Sequence, residues 1–277
     1  MMGIAKSTFY RDSCIKTLER QTRDNEIRDY IELVHVEFPG YGYRRIKRHL
    51  QRNGILLNEK CIRRVMRKFQ LFPIIWKKFR CQTTDSNHSY TRYPNLSKDT
   101  VATGLNQIWV ADLTYIRIAT CFVYLAVILD RFSRKVIGWA LSKSLEPEVC
   151  LAALRMAIET RKPGPGCIHH SDQGVQYACN DYIALLEDNE LVPSMSRKGN
   201  CYDNAFAETF FKSFKYEEVH LNDYVTYADV LKRVPRFIEE VYNRKRLHSS
   251  IGYLPPEEFE AILLTGSLVN ETDHPVI

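Results

Sequence analysis

Apolar positions recur every three to four residues in three consecutive segments near the amino terminus. In the segment 25–39 these positions are Ile27, Ile31, Leu33, Val34 and Phe38. A second segment, 40–54, carries Tyr43, Ile46 and Leu50 inward and ends at Gly54. A third segment, 59–70, follows Asn58, a residue type that commonly caps helices. The spacing predicts three helices, the last burying Ile62, Val65, Met66 and Phe69.

From residue 107 the pattern changes to β-branched and aromatic residues at strand spacing. Three such segments follow one another at hairpin distance, at 107–119, 121–131 and 134–143. They predict an antiparallel meander. Helices are then expected at about 147–161 and 176–188 and in the stretch 197–218, with short strands ending at Ser171 and Met195. This order predicts an α/β domain, a mixed sheet with helices on both faces.

Charge is distributed unevenly between the two regions. Residues 1–100 contain 21 Lys and Arg against 10 Asp and Glu, and the rest contains 18 against 23. Within 41–80 there are 13 basic residues and a single acid, Glu59. A helix, a short turn and a basic helix suit a DNA-binding helix-turn-helix. The alternative is a solvated basic helix in a small bundle.

The cations expected to contact DNA lie on the second and third predicted helices: Arg44, Arg45, Arg63, Arg64, Arg67 and Lys68. The stretch after them, to about residue 104, reads as a basic linker.

Several classes of protein are excluded by the sequence. The longest apolar run of note, 122–129, is as short as a strand and ends at Asp130, so no membrane span is expected. The eight cysteines lack metal-ligand spacing, which argues against a zinc ribbon or a disulfide framework and suits the cytoplasm. There is neither a P-loop nor a G-x-S-x-G motif.

Three carboxylates, Asp112, Asp172 and Glu208, occupy notable positions. Asp112 lies within a predicted strand, where burial of an unpaired charge is costly. The alternative is an outward-facing strand residue, and the flanking apolar residues permit either phase. Asp172 follows a strand and could instead be a turn or capping residue. Glu208 lies on a helix and could simply pair with Lys212 four residues later.

Together the three carboxylates support a stronger interpretation. An early strand, the end of a later strand and the following helix can converge at one edge of such a sheet. Clustered carboxylates raise one another's pKa unless cations neutralise them. Oxygen ligands in this number favour Mg²⁺ or Mn²⁺, and two such ions can activate phosphodiester chemistry.

The spacing of these residues resembles that of a known catalytic signature. Thirty-five residues separate Asp172 from Glu208, and Lys215 follows seven residues after the glutamate. This resembles the D,D(35)E signature of retroviral integrases and related transposases. Five sequence motifs are similar to those of second-frame transposases of two-frame bacterial insertion sequences. They are "WVADLTYI", "DRFSRKVIGW", "HSDQGVQY", "SRKGNCYDNAFAETFFKSFKYE" and "YNRKRLHSSIGYLPPEEF".

The resemblance implies an RNase H-like fold and roles for individual residues. It implies that Asp112 bridges two metal ions, while Asp172 and Glu208 each hold one. Lys212 and Lys215 would meet substrate phosphates. The resemblance also places Asn200 and Asn204 at the rim of the site. Asn243, Arg246 and His248 belong to the last of the five motifs, and these three residues either contact DNA or have a structural role.

The resemblance also implies a domain organisation. The chain divides into a remnant (1–24), a helix-turn-helix domain (25–72), a linker (73–104), a catalytic core with a C-terminal helix (105–262) and a tail (263–277). Two departures stand out: Ala111 occupies a position where Thr is expected, and the zinc-binding domain of retroviral integrases is absent. Asp130 and Asp203, two further acids nearby, are interpreted as turn or capping residues.

The activity implied is that of a Mg²⁺-dependent DNA transposase. It would cut and join strands at element ends by a copy-out, paste-in route, working as a homo-oligomer on element and target DNA. A bacterial cytoplasmic location at the nucleoid and an upstream-frame partner or fusion are also implied. The alternatives are an RNase H-like nuclease that does not join strands and a catalytically silent DNA-binding repressor.

Overall fold

The computed structural model describes residues 6–73, 89–98, 100–197 and 204–266, with side chains from residue 17 onward. The chain forms two compact units, Met1–Trp76 and Lys77–Ile277, called here the N-terminal and C-terminal units. No helix in the described ranges is both long and apolar enough to cross a membrane.

The N-terminal unit consists of three helices, α1 (Lys6–Glu37), α2 (Tyr43–Arg52) and α3 (Glu59–Lys68). Asn58 caps α3, as expected, by accepting a hydrogen bond from the Lys60 backbone N–H at 2.8 Å. The first helix is far longer than the segment 25–39 in which the apolar pattern is clear. Leu33 is 68% exposed. The core of the unit is formed by Ile27, Ile31, Val34, Phe38, Ile46, Leu50, Ile62, Val65 and Met66.

A buried carboxylate joins α1 to α3. Asp24 accepts hydrogen bonds from Arg64 at 2.7 and 2.6 Å and from Lys68 at 2.9 Å. The Arg64 guanidinium is the largest influence that holds the pKa of Asp24 well below its ordinary value. Because this bidentate pair satisfies the buried carboxylate, it fixes the orientation of α3 against α1.

We expect Asp24→Asn to destabilise the N-terminal unit by about 1–2 kcal/mol, since the partners are partly solvent-exposed. The folded-state pKa of Asp24 lies below the unfolded value of about 3.9, so the carboxylate stabilises the fold above that pH and loses this effect as the pH falls. Circular dichroism melting of both proteins between pH 7 and pH 3 measures the difference. A gap in melting temperature that stays constant down to pH 3 contradicts the assignment.

The C-terminal unit contains a five-stranded mixed sheet in the order β3-β2-β1-β4-β5. Its strands are β1 (Ile108–Arg117), β2 (Phe122–Asp130), β3 (Val136–Ser142), β4 (Ile168–Ser171) and β5 (Val192–Met195). β1, β2 and β3 pair antiparallel, which confirms the predicted meander. β4 pairs parallel to both β1 and β5. This arrangement confirms the RNase H-like fold.

Helices pack on both faces of the sheet. One face carries α4 (Glu148–Arg161), α5 (Val175–Ala178) and α6 (Asn180–Asp188), which share a core with Trp109 and Ile128. The single helix expected at about 176–188 is two helices, because Cys179 adopts an extended conformation between them. Val110 and Val127 face the opposite core, since side chains alternate along a strand.

The second face is covered by the last third of the chain. α7 (Ala205–Phe214) continues into a π-helical turn (Lys215–Val219), and α8 (Tyr227–Arg236) into another (Phe237–Asn243). A short 3₁₀ segment (Ser249–Ile251) leads to α9 (Pro256–Thr265). Buried side chains of α7, Ala207, Phe210 and Phe214, join the core of this face. The position of α7 over the sheet follows from their burial.

Candidate active site

Strand register brings two of the predicted carboxylates together. Ile108 pairs with Ile168 and Val110 with His170 in the parallel ladder of β1 and β4. Extending that register by two residues sets Asp112 opposite Asp172, which directly follows β4. Neighbouring strands lie about 4.8 Å apart. Asp112 is in phase with Val110, so it faces the layer that contains α7.

The pKa of Asp112 responds to several charged groups around it. Burial is the main cause that raises its pKa well above the ordinary value, and the negative charge of Asp172 raises it further. Glu208 acts in the same direction, whereas the Leu113 N–H, 2.8 Å from Asp112 Oδ1, and the charge of Lys215 lower it. We call Asp112, Asp172 and Glu208 the carboxylate cluster.

Asp172 makes a turn contact, which is the alternative role that the sequence allowed for it. Its Oδ1 accepts a hydrogen bond from the Gly174 backbone N–H at 2.9 Å, just before α5. An Asx turn of this kind leaves the second carboxylate oxygen outside this bond. The turn contact is therefore compatible with a second role in the cluster.

Glu208 also makes the contact expected of its alternative role. Its Oε2 lies 3.6 Å from Lys212 Nζ, and the two side chains are 39% and 52% exposed. Within the described part of the chain, no three His, Cys, Asp or Glu side chains are gathered closely enough to hold a metal ion. The cluster is thus an open arrangement in which Glu208 is paired with Lys212.

Asn204 joins the start of α7 to β1. Its buried side chain donates from Nδ2 to the Ala111 carbonyl at 3.2 Å. Ala111 precedes Asp112, so this bond fixes α7 beside the carboxylate cluster. The sequence had put Asn204 at the rim, and the hydrogen bond gives it a positioning role. Asn200 and Asp203 lie outside the described residues.

Lys215 interacts with Asp112, whereas Lys212 pairs with Glu208. Its Nζ is 4.7 Å from the ring centroid of Tyr115 in β1, and its charge lowers the pKa of Asp112. Lys215 begins the π-helical turn after α7 and keeps a right-handed helical backbone conformation.

Comparisons with known proteins identify the family of the chain. Two integrase core domain models match residues 102–201 and 189–256, and an HTH-like domain model matches 22–79. The uncharacterized 31 kDa protein of insertion element IS600 from Shigella sonnei is 35% identical, covering 94% of this chain and 96% of that protein. The transposase for insertion sequence element IS904 from Lactococcus lactis is 34% identical, covering 87% and 96%. The chain belongs to the family of insertion-sequence transposases.

Other relatives are similar over less of their length. The transposase InsF for insertion sequence IS3A of Escherichia coli is 38% identical to this transposase-family chain, covering 79% of the chain and 76% of that protein. Among solved structures, the catalytic core domain of BIV integrase is 15% identical with a TM-score of 0.45. That alignment covers 59% of this chain and 99% of the viral domain.

The C-terminal motif of this transposase-family chain contains three buried polar residues, Asn243, Arg246 and His248. Asn243 bonds both backbone groups of Val136 at 3.0 Å. Arg246 is 3% exposed and donates two hydrogen bonds of 2.8 Å to Glu217. The His248 ring packs edge-on against Tyr242. These contacts favour the structural role that the sequence left open for all three residues.

The predicted DNA-contacting cations of the N-terminal unit fall into two groups. Arg64 and Lys68 are bound to Asp24, as described above, so they do not simply project outward. The remaining four are Arg44, Arg63 and Arg67, which are exposed, and Arg45, which is half-buried. The guanidinium of Arg63 lies 5.1 Å from the centroid of Tyr43, and that of Arg45, which is half-buried, lies 5.5 Å from the centroid of Tyr41.

Two features of the C-terminal unit were missed by sequence reasoning. A buried ion pair between Arg161 and Glu260 joins α4 to α9, and no local pattern identifies partners so distant in sequence. Arg131 and Arg134 both lie against the ring of Phe206. Asp130, in contrast, is a turn residue as expected, because it accepts hydrogen bonds from the backbone of Phe132 and Ser133.

Proposed function

We propose that this protein is a metal-dependent DNA transposase that cleaves element ends and joins the freed strand to a second DNA site. The observation that carries the proposal is the electrostatic interaction of Asp112 with both Asp172 and Glu208 in a chain of the insertion-sequence transposase family. The chemistry is two phosphoryl transfers. Water displaces the 3′ oxygen at the element end, and the released 3′-hydroxyl then displaces the oxygen of a second phosphodiester.

The donor set of the carboxylate cluster fits divalent cations. Burial and two neighbouring carboxylates disfavour the charged form of Asp112, a condition that a bound cation reverses. The Glu208–Lys212 pair is partly exposed and so costs little to break. Asp112, Asp172 and Glu208 would hold two Mg²⁺ or Mn²⁺ ions. Bound, the ions supply Lewis acidity for in-line displacement at phosphorus.

Other residues of the chain orient the reacting groups. Asn204 holds the start of α7 against β1, which keeps Glu208 near Asp112. Lys215 carries its positive charge beside Asp112, where it would bind the phosphate next to the scissile bond. Lys212 would leave Glu208 and contact DNA in the same region. These roles require no covalent enzyme intermediate.

The proposal extends to partners and location. The helix-turn-helix would recognise element-end DNA, and a homo-oligomer would pair two ends and capture the target. An upstream-frame partner or fusion would assist end recognition. The protein would act at the bacterial nucleoid. Charge supports the DNA-binding part, because the basic residues concentrate in the N-terminal unit.

A strand-joining assay tests the proposed function. Labelled duplex DNA carrying the element end is incubated with target DNA and the full chain, with Mg²⁺ or with EDTA. We expect joined products with Mg²⁺ and none with EDTA or with scrambled ends. Nicked but never joined DNA would instead identify a nuclease. Binding without cutting in Mg²⁺ and in Mn²⁺ would identify a repressor.

We expect Arg67→Gln to weaken DNA binding by reducing its electrostatic part. Arg67 is exposed on α3, and losing one phosphate contact lowers the slope of log affinity against log salt by about 0.9. Fluorescence anisotropy across a salt series measures the slope. The matched control is Arg155→Gln, an exposed arginine of α4, which should leave the slope unchanged. Equal slopes for the two variants would contradict a DNA contact by Arg67.

A further inference from the structure

A cavity of about 260 Å³ opens in the C-terminal unit where the turn after β2, the start of α7 and the C-terminal segment meet. Apolar side chains form most of its wall, among them Phe132, Phe206 and Phe259. Two guanidinium groups, those of Arg131 and Arg134, complete the lining. The cavity therefore combines aromatic surface with positive charge.

Both guanidinium groups lie against one ring. Arg134 Cζ is 4.0 Å and Arg131 Cζ 4.7 Å from the centroid of Phe206. Arg131 is anchored, because its Nη1 donates to the carbonyl and the hydroxyl of Ser97 at 2.7 and 2.9 Å. The Arg134 backbone N–H donates to the Asp130 carbonyl at 2.9 Å, but its guanidinium has neither a hydrogen bond nor an ion pair with any of the described residues.

An unpaired, half-buried Arg134 is energetically unfavourable. Burial is the main cause that lowers the pKa of Arg134; Tyr242 opposes this effect and the charge of Arg131 adds to it. A guanidinium nevertheless does not deprotonate in proteins. A desolvated charge without a partner is costly. Arg134 also has a φ of 66°, in the left-handed region that side chains other than glycine rarely adopt. An anionic ligand bound to Arg134 would offset the cost of its desolvated, unpaired charge.

The location of the cavity indicates which anion it would bind. Phe206 lies two residues before Glu208 in α7, so the two residues are close along the helix axis although their side chains leave the helix on different faces. A DNA duplex is wider than a helix, so a duplex bound at the carboxylate cluster would extend past the start of α7 toward Arg134. We propose that Arg134, with Arg131 beside it, binds a backbone phosphodiester of the DNA substrate, with the neighbouring sugar and base against the apolar wall. This inference rests on the proposed function.

The competing explanation is purely structural. In that view the two arginines only clamp Phe206 through cation–π contacts and so hold α7 in place. The two explanations differ in salt dependence. A phosphate contact contributes about 0.9 to the slope of log affinity against log salt, whereas a clamp changes folding stability without altering that slope.

The test compares wild type, Arg134→Gln and Arg155→Gln in metal-free binding to duplex element-end DNA across a salt series. We expect Arg134→Gln alone to lower the slope by about 0.9. In a parallel thermal-shift experiment, millimolar inorganic phosphate should stabilise the wild type more than Arg134→Gln. An unchanged slope with a lower melting temperature would establish the clamp and overturn the inference. Lost phosphate stabilisation with an unchanged slope would assign the site to free phosphate and also overturn it.

A second pair of variants applies if Arg134→Gln fails to fold. Ser250 is an exposed residue of the cavity lining, so Ser250→Glu introduces a carboxylate near Arg134, and Ser250→Gln adds similar volume without charge. The glutamate variant should lower DNA affinity several-fold, and the glutamine variant should not. Equal affinities would refute the site. Since the wild type is tested for binding and joining separately, its failure in both would instead refute the proposed function.

Discussion

Asp172→Asn is expected to reduce strand joining about a thousand-fold while leaving DNA binding unchanged. The substitution removes one charged oxygen ligand from the carboxylate cluster, and loss of about 4 kcal/mol of transition-state stabilisation corresponds to three factors of ten in rate. The asparagine carbonyl can still accept the hydrogen bond that Asp172 accepts from Gly174. The turn before α5 should therefore persist. Single-turnover joining in Mg²⁺, with anisotropy for binding, measures both quantities.

The matched control is Asp188→Asn, because Asp188 is an exposed residue at the end of α6 and undergoes the same change of charge. This variant should join strands at the wild-type rate. The comparison also separates the two roles of Asp172. Joining at the wild-type rate by Asp172→Asn, with its melting temperature preserved, would leave Asp172 as a turn residue and refute its place among the metal ligands.

Gly138→Ala is expected to destabilise the C-terminal unit by about 3 kcal/mol, since rigid backbone must move to admit the methyl group. A Cβ built at Gly138 in β3 would lie 2.3 Å from the carbonyl oxygen of Ala153 and 2.9 Å from the backbone nitrogen of Ala157. Both atoms belong to α4, so the helix would have to lift from the sheet. Differential scanning calorimetry should show a melting temperature roughly 6–12 °C lower.

Gly164→Ala provides the control for this substitution. Gly164 is exposed, and a Cβ placed there meets no atom within 4 Å. Loss of backbone freedom in the unfolded chain should make this variant equal to wild type or slightly more stable, by up to about 1 kcal/mol. Equal melting temperatures for the two variants would mean that α4 does not rest on β3 as closely as the structure indicates.

Local periodicity accounts for the parts of the fold that were predicted correctly. The meander could be predicted from the sequence because each strand segment is rich in β-branched and aromatic residues and the turns between the strands are short. The cap at Asn58 was readable because a capping side chain bonds within three residues. The family resemblance added the connection between distant carboxylates that periodicity cannot supply. Their roles as ligands stay a prediction until the joining assay is done.

Contacts between distant residues explain what was missed. The length of α1 and the break at Cys179 between α5 and α6 arise where the apolar pattern is weak. Arg64 was grouped with the cations expected to contact DNA, because the sequence of its own helix shows only that Arg64 lies outside the apolar face. Its partner Asp24 is 40 residues away. Arg246 likewise meets Glu217 through folding of the last third of the chain.

By itself the sequence determined the three-stranded meander, the cap of α3, the segregation of positive charge toward the amino terminus and the family. Each of these depends on neighbouring residues or on motifs in a fixed order. Only the tertiary structure decided the phase of Asp112, which lies on the same sheet face as Val110, the face that α7 covers. It also decided which cations are engaged by buried carboxylates and which, like Arg134, are left without an ionic partner among the described residues. Such pairings depend on which residues the fold brings close together in space, and the chemistry of the side chains alone does not specify those distances.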